Sequence, residues 1–210
     1  HLNTGEMQLV QNNPDNPNSL LNNDVHLLYR DRAGVIFIIT ADGINIYSKL
    51  SGRFRKFQKN PNEVKSLSSN AINCFIEGPD GSIWIGTRDG VNRFDRSSKQ
   101  FQVFRLIPEV KDEVCSNEIK SLHFDQKGRF WVGTSNSLCL FDPSDSKAKQ
   151  YRFNNFNPNS LNNEVHTIAE TRNGALWVGL RKGLAAFDPD SGTFKLYRPD
   201  PTVSDNQITN

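Results

Sequence analysis

Three markers recur along this chain in a single register. A Gly ahead of an apolar-aromatic segment stands at Gly34, Gly81, Gly128 and Gly174, spaced by 47, 47 and 46 residues. An Asn two residues ahead of an apolar position stands at Asn23, Asn70, Asn117 and Asn163, again 47, 47 and 46 apart. An aromatic core position follows the same spacings at Phe37, Trp84, Trp131 and Trp177. Self-similarity at one fixed period of this length marks a repeat architecture, and it constrains the fold more than any single motif can.

Each copy reads as short strands between turns. In the second copy Ile72 to Glu77 is an apolar, β-favouring run, and Gly78-Pro79-Asp80-Gly81 is a turn whose Asp-Gly supplies positive φ. Ser82 to Thr87, Val91 to Phe94 and Phe101 to Phe104 follow as strands, separated by Arg88-Asp89-Gly90 and Asp95-Arg96-Ser97-Ser98. No segment keeps a helical period over several turns. A four-stranded meander of this size cannot bury both faces alone, and stacking copies radially solves that. The chain therefore reads as an all-β β-propeller fragment with four-stranded antiparallel blades at about 23–58, 70–105, 117–153 and 163–198. Trp84, Trp131 and Trp177 are assigned to packing between blades.

The ends follow the same register. Met7, Phe54 and Phe101 are each 47 apart, so residues 1–11 read as the last strand of a preceding blade. Asn206-Gln207-Ile208 matches Asn163-Glu164-Val165, so 206–210 read as the start of a following one. The expectation is an arc of a larger wheel, with partial blades at both ends. Unpaired edge strands are sticky, and association of two chains through them is expected.

Composition narrows the function. With 25 Lys+Arg against 23 Asp+Glu, the net charge of +2 makes no electrostatic case for nucleic acid. No basic amphipathic stretch suggests a membrane surface, and no run approaches the roughly 18 apolar residues of a membrane span. The opening His1-Leu2-Asn3-Thr4-Gly5-Glu6 has neither Met, nor a basic start, nor an apolar run, which reads as an excised segment. Cys74, Cys115 and Cys139 lack metal-type spacing and make no disulfide framework, and neither a metal nor a cofactor is expected.

Two stretches carry a resemblance. Gly-Ser-Ile-Trp-Ile-Gly-Thr-Arg-Asp-Gly-Val-Asn-Arg-Phe-Asp at Gly81–Asp95, and Gly-Ala-Leu-Trp-Val-Gly-Leu-Arg-Lys-Gly-Leu-Ala-Ala-Phe-Asp at Gly174–Asp188, resemble the two-component regulator propeller repeat. The third copy, Gly128–Asp142, keeps Trp131, Gly133 and Thr134 but has Asn136-Ser137 where a Gly is expected. The first departs more, with Phe37 for Trp and Ile39 for Gly. Asn159-Ser-Leu-Asn-Asn-Glu-Val also fits the family's blade start. The resemblance implies the periplasmic sensor region of a hybrid two-component system of Bacteroides type, commonly seven-bladed. A β-sandwich, a membrane helix and a cytoplasmic histidine kinase would follow, and an oligosaccharide would be the input. Contact with the membrane would come only through that parent protein.

Sites are sought at the rim that carries the loops leading into each blade together with the turns between second and third strands. The first position inside each innermost strand is polar and varies: His26, Asn73, Lys120 and His166. Arg88, Asp89, Arg181 and Lys182 lie in the neighbouring turns. Such side chains suit sugar hydroxyls and carboxylates; ordinary solvated loop polarity is the plainer account. Asn23, Asn70, Asn117 and Asn163 are assigned to backbone bonding in the lead-in turn, and Asp95, Asp142 and Asp188 to turn formation. No catalytic residue is assigned. His26 and His166 fall at equivalent positions, but no motif pairs either with a general base, so a propeller lyase ranks below a protein-docking propeller, and both rank below a ligand sensor.

Overall fold

The computed structural model describes residues 9–49, 51–110, 115–153 and 163–197. Four sheets follow one another along the chain. The first holds β1 (Val25–Arg30), β2 (Ile36–Thr40), β3 (Gly43–Ser48) and β4 (Arg53–Phe57); the second β5 (Ile72–Glu77), β6 (Ile83–Thr87), β7 (Gly90–Asp95) and β8 (Gln100–Phe104). The third holds β9 (Ile107–Pro108), β10 (Ile119–Phe124), β11 (Phe130–Thr134), β12 (Leu138–Asp142) and β13 (Lys147–Tyr151); the fourth β14 (Val165–Glu170), β15 (Leu176–Leu180), β16 (Gly183–Phe187) and β17 (Phe194–Tyr197). Each is an antiparallel meander in chain order, as the all-β propeller reading requires. The third sheet adds a strand. Its lead-in loop lacks the Asn-Pro-Asn-Ser-Leu pattern, and Ile107–Pro108 runs extended and parallel beside Lys147–Ala148, covering an outer edge. The segments 1–8 and 206–210, expected to belong to flanking blades, lie outside the described residues.

Turn chemistry sets the hairpins. Gly34, Gly81, Gly128 and Gly174 sit at φ of 80°, 77°, 78° and 85°, a region that costs other residues energy. At the second-to-third strand turn Gly90 also has positive φ, whereas the third copy has Ser137. Thr134 Oγ1 donates to the Ser137 carbonyl at 3.0 Å, as Thr40 and Thr87 do to the Gly43 and Gly90 carbonyls at 3.2 and 3.0 Å, and it also accepts from the Ser137 amide at 3.0 Å.

The sheets converge along their first strands. β10 lies against β5 on one side and β14 on the other, while the fourth strands fan apart, so β1, β5, β10 and β14 are innermost. Large rings fill the gaps between blades. Trp84 meets Phe130 of the next blade at 4.9 Å between ring centroids, Trp131 meets Phe187 at 5.5 Å, and Phe37 meets Phe75 at 5.8 Å.

The Gly at mid-β6 and mid-β11 admits this approach. A Cβ on Gly86 would stand 2.6 Å from Ile119 Cγ2, and one on Gly133 2.5 Å from Val165 Cγ1. The first blade has Ile39 at that place. Accordingly β1 and β5 stand farther apart than β5 and β10, and Ile72 is only partly buried where Ile119 and Val165 are fully buried.

A second device joins blades at the opposite rim. Glu77 Oε2 accepts the Arg32 amide of the preceding blade at 2.9 Å, and Glu170 Oε2 accepts the Gln126 amide at 2.9 Å. Between the second and third blades both halves change together. Pro79 has no amide hydrogen to give, and Phe124 replaces the Glu, stacking on Phe130 at 4.2 Å.

Candidate functional site

The rim that carries the lead-in loops gathers the charged side chains nearest the axis. Its geometry starts from an irregularity repeated in every blade. The register of β1 on β2 shifts between Val25 and Leu27, that of β5 on β6 between Ile72 and Cys74, that of β10 on β11 between Ile119 and Ser121, and that of β14 on β15 between Val165 and Thr167. The residues left without a ladder partner are His26, Asn73, Lys120 and His166. A bulge re-aims its side chain relative to the pleat, so each blade presents one such residue at the same height.

Three residues ahead of each bulged residue stands an Asn. The Oδ1 atoms of Asn23, Asn70, Asn117 and Asn163 accept the backbone amides of Asn12, Lys59, Leu106 and Phe153 at 2.6, 2.6, 2.9 and 2.7 Å. The residue after the Asn is acidic in three blades (Asp24, Glu118 and Glu164) and stands two positions ahead of the bulged residue. The gaps are 3.6 Å for His26–Asp24, 2.8 Å for Lys120–Glu118 and 3.8 Å for His166–Glu164.

The charges also link blades. Lys120 Nζ reaches Glu164 at 3.3 Å, Arg181 reaches Glu164 at 3.1 Å, and Arg88 reaches Glu118 at 3.8 Å. A continuous chain Arg88–Glu118–Lys120–Glu164–Arg181 thus spans three blades. Glu164 is its anchor, with a side chain only 9% exposed. Burial pushes its carboxyl up, but the hydrogen bonds from Arg181 and Lys120 outweigh that and hold it below the usual range. The hydrogen bond to Glu118 is the largest influence on Lys120 and holds its ammonium above the usual lysine range, against the opposing effect of burial.

The other residues singled out in the sequence are distributed differently. Asn73 spends its amide on the next blade, donating to the Ile119 carbonyl at 2.6 Å. Asp89 turns to Arg105, whose Nη2 and Nε stand at 2.7 and 3.2 Å, rather than to the Glu118 cluster. Lys182 is exposed and makes no ion pair among the described residues. Trp84 and Trp131 are buried, and Trp177 is partly buried against Tyr197. Asp95, Asp142 and Asp188 each accept an amide two residues on, from Ser97, Ser144 and Asp190 at 2.7, 2.8 and 2.9 Å. Glu118 and Glu164 are the members of this charged cluster that residue-by-residue reading missed; the acidic-apolar-basic triplets were their signal.

A groove of about 1050 Å³ lies away from this rim, between the second lead-in loop and β7–β8, with Lys65, Asp80, Arg93 and Gln102 in its walls. Arg93 pairs there with Asp80 at 2.8 Å and Arg96 with the buried Asp31, while Lys65 makes no ion pair among the described residues. The rim, whose charges join three blades, is the stronger candidate.

Residues 66–89, 113–136 and 159–182 match the two-component regulator propeller profile. Three of the chain's four repeats thus match the two-component regulator propeller repeat. The match leaves out the first copy, where Phe37 and Ile39 break the pattern. No curated protein matches the chain. Among solved structures, one described as the extracellular domain of hybrid two component system BT3049 from B. thetaiotaomicron is similar at 25% identity and a TM-score of 0.65, over 86% of this propeller chain and 24% of that one. The extracellular domain of BT4673 from the same organism is similar at 17% identity and a TM-score of 0.71, over 97% and 35%. A catalytically inactive H270A virginiamycin B lyase from Staphylococcus aureus shares the fold at 16% identity and a TM-score of 0.61, over 87% and 59%. The propeller repeats described here thus span a quarter to a third of the two extracellular domains they match.

Proposed function

We propose that this chain is the sensing part of an extracytoplasmic propeller in a two-component signalling protein, and that its lead-in rim reads an oligosaccharide. The observation that carries this is the set of four register-equivalent bulges, which present His26, Asn73, Lys120 and His166 on one rim. Residues that break a repeat's uniformity at a geometrically uniform place are suited to specificity rather than to packing. The similarity to an extracellular domain of a hybrid two-component system supports the cellular setting. On this reading the propeller faces the periplasm and the parent protein is a membrane-anchored histidine kinase. Alternating carboxylates and cations match the paired donors and acceptors of sugar hydroxyls.

On this reading the rim binds rather than catalyses; His26 and His166 stand 3.6 and 3.8 Å from their nearest carboxylates, longer than a formed hydrogen bond.

A thermal-shift screen of neutral and uronic-acid oligosaccharides tests the proposal. A saccharide present at about a hundred times its Kd stabilises by roughly 2.7 kcal/mol, which raises Tm by roughly 5–10 °C. The shift is expected to fall sharply in Lys120→Ala and Arg181→Ala. A panel in which no saccharide moves Tm, or a shift that both variants leave intact, would overturn it.

A further inference from the structure

In the first two blades an Asn on the third strand clamps the lead-in loop. Asn45 Oδ1 accepts the Leu21 amide at 3.0 Å. Asn92 Oδ1 accepts the Ser68 amide at 3.0 Å, and its Nδ2 donates to Ser68 Oγ at 2.8 Å. Moving one repeat of 47 residues along from Ser68 and Asn92 gives Cys115 and Cys139. Both partners of the clamp have changed together, and both have become cysteine. Their sulfurs stand 3.7 Å apart, and both residues are buried.

We infer that Cys115 and Cys139 form a disulfide that replaces the Asn clamp and staples the third lead-in loop to β12. A bond of about 2.0 Å would draw the two sulfurs together by about 1.7 Å. The loop so fixed carries Asn117 and Glu118, so the staple lies at the base of the charged rim. Cys74 is the natural contrast: burial pushes its thiol up to about 12, and it sits on β5 against Gly86.

The chemistry balances with a disulfide-bearing oxidant such as oxidised glutathione or a thiol-disulfide oxidoreductase. One Cys thiolate attacks an oxidant sulfur and expels one thiolate. The second Cys thiolate then attacks the mixed disulfide and expels the other. The two cysteines lose two protons and two electrons, and the oxidant becomes two thiols. An extracytoplasmic location supplies such oxidants, so formation in the cell rests on the proposed location, whereas the pairing itself rests on the repeat and the geometry.

The experiment uses two samples: the chain exported to an oxidising compartment and purified without reductant, and the chain refolded in a glutathione redox buffer. Both are alkylated in denaturant and digested with trypsin. The expected product joins peptide 112–120 to peptide 130–147, with Cys74 alkylated in peptide 66–88. Reduction should lower Tm by roughly 7–14 °C, the scale set by a 24-residue separation. The double variant Cys115→Ser with Cys139→Asn restores the second blade's pair, and its Tm should ignore reductant. Linkage in the refolded sample alone would support the pairing and count against its formation on export. Alkylation of all three cysteines in both samples, a linkage through Cys74, or a reductant effect that persists in the double variant would overturn the inference.

Discussion

Replacing Glu164 by Gln tests the anchor of the rim with almost no change in shape. The variant removes a carboxylate that faces Lys120 at 3.3 Å and Arg181 at 3.1 Å. The two contacts weigh differently. Arg181 is about half exposed, so its ion pair contributes only about 0.2–1 kcal/mol. Lys120 is 22% exposed and Glu164 9%, which places their contact among charge-assisted bonds worth about 1.5–3 kcal/mol. Gln keeps an acceptor oxygen and Lys120 keeps Glu118, so the net loss at pH 7 should be about 1.5–3 kcal/mol. The sign of the pH dependence follows from the lowered carboxyl pKa. A group with a depressed folded value contributes stability above its unfolded value, near 4.3, and loses it as pH falls through the lower folded value. The gap between wild type and Glu164→Gln should therefore be widest at neutral pH, narrow below about pH 4.3, and close in stronger acid. Guanidinium unfolding followed by tryptophan fluorescence at pH 7 and pH 3 measures both gaps. An equal gap at the two pH values, or a gap under about 0.5 kcal/mol at pH 7, would refute this account of the cluster, since even a single charge-assisted bond should exceed that.

Two further substitutions probe the repeat itself. Asn117→Ala removes the acceptor for the Leu106 amide and should cost about 1–2 kcal/mol, with hydrogen exchange at Leu106 accelerating more than in β11 or β12. Gly133→Ala would set a Cβ 2.2 Å from Ser121 Oγ and 2.5 Å from Val165 Cγ1, so denaturant titration should show a loss of about 1–3 kcal/mol as the third and fourth blades are forced apart.

The sequence was most legible where one physical demand recurs in every blade. An aromatic ring has to fill each gap, so Phe37, Trp84 and Trp131 announced themselves by spacing alone. The candidate site was legible only in part. His26, Asn73, Lys120 and His166 stand out because they vary at a fixed register, but nothing in a strand pattern says that this register is a bulge. Glu118 and Glu164 went unremarked because an acid beside an Asn in a turn is ordinary; their importance comes from Lys120 and Arg181, contributed by different blades. Asn73 shows the reverse case, a polar residue whose amide the tertiary structure commits to Ile119 of the neighbouring strand. Ile39 was visible as a departure from the repeat, yet its consequence, a wider first interface, appears only when β5 must pass it.

Some tertiary pairings still left a trace in the sequence. Pro79 and Phe124 replace a donor and an acceptor together, and Cys115 and Cys139 replace a Ser and an Asn together. Each pair lies at matched repeat positions 45 or 24 residues apart, and neither change makes sense without the other.

Strand, turn and blade were thus determined by the sequence alone, because they depend on residues within about ten positions of one another and on an apolar pattern that repeats. The rim's acid-base chain, the commitment of Asn73 and the 3.7 Å approach of two thiols were decided by the tertiary structure. The first two depend on how neighbouring sheets converge at their first strands, and the third on how a blade's lead-in loop packs against its own third strand.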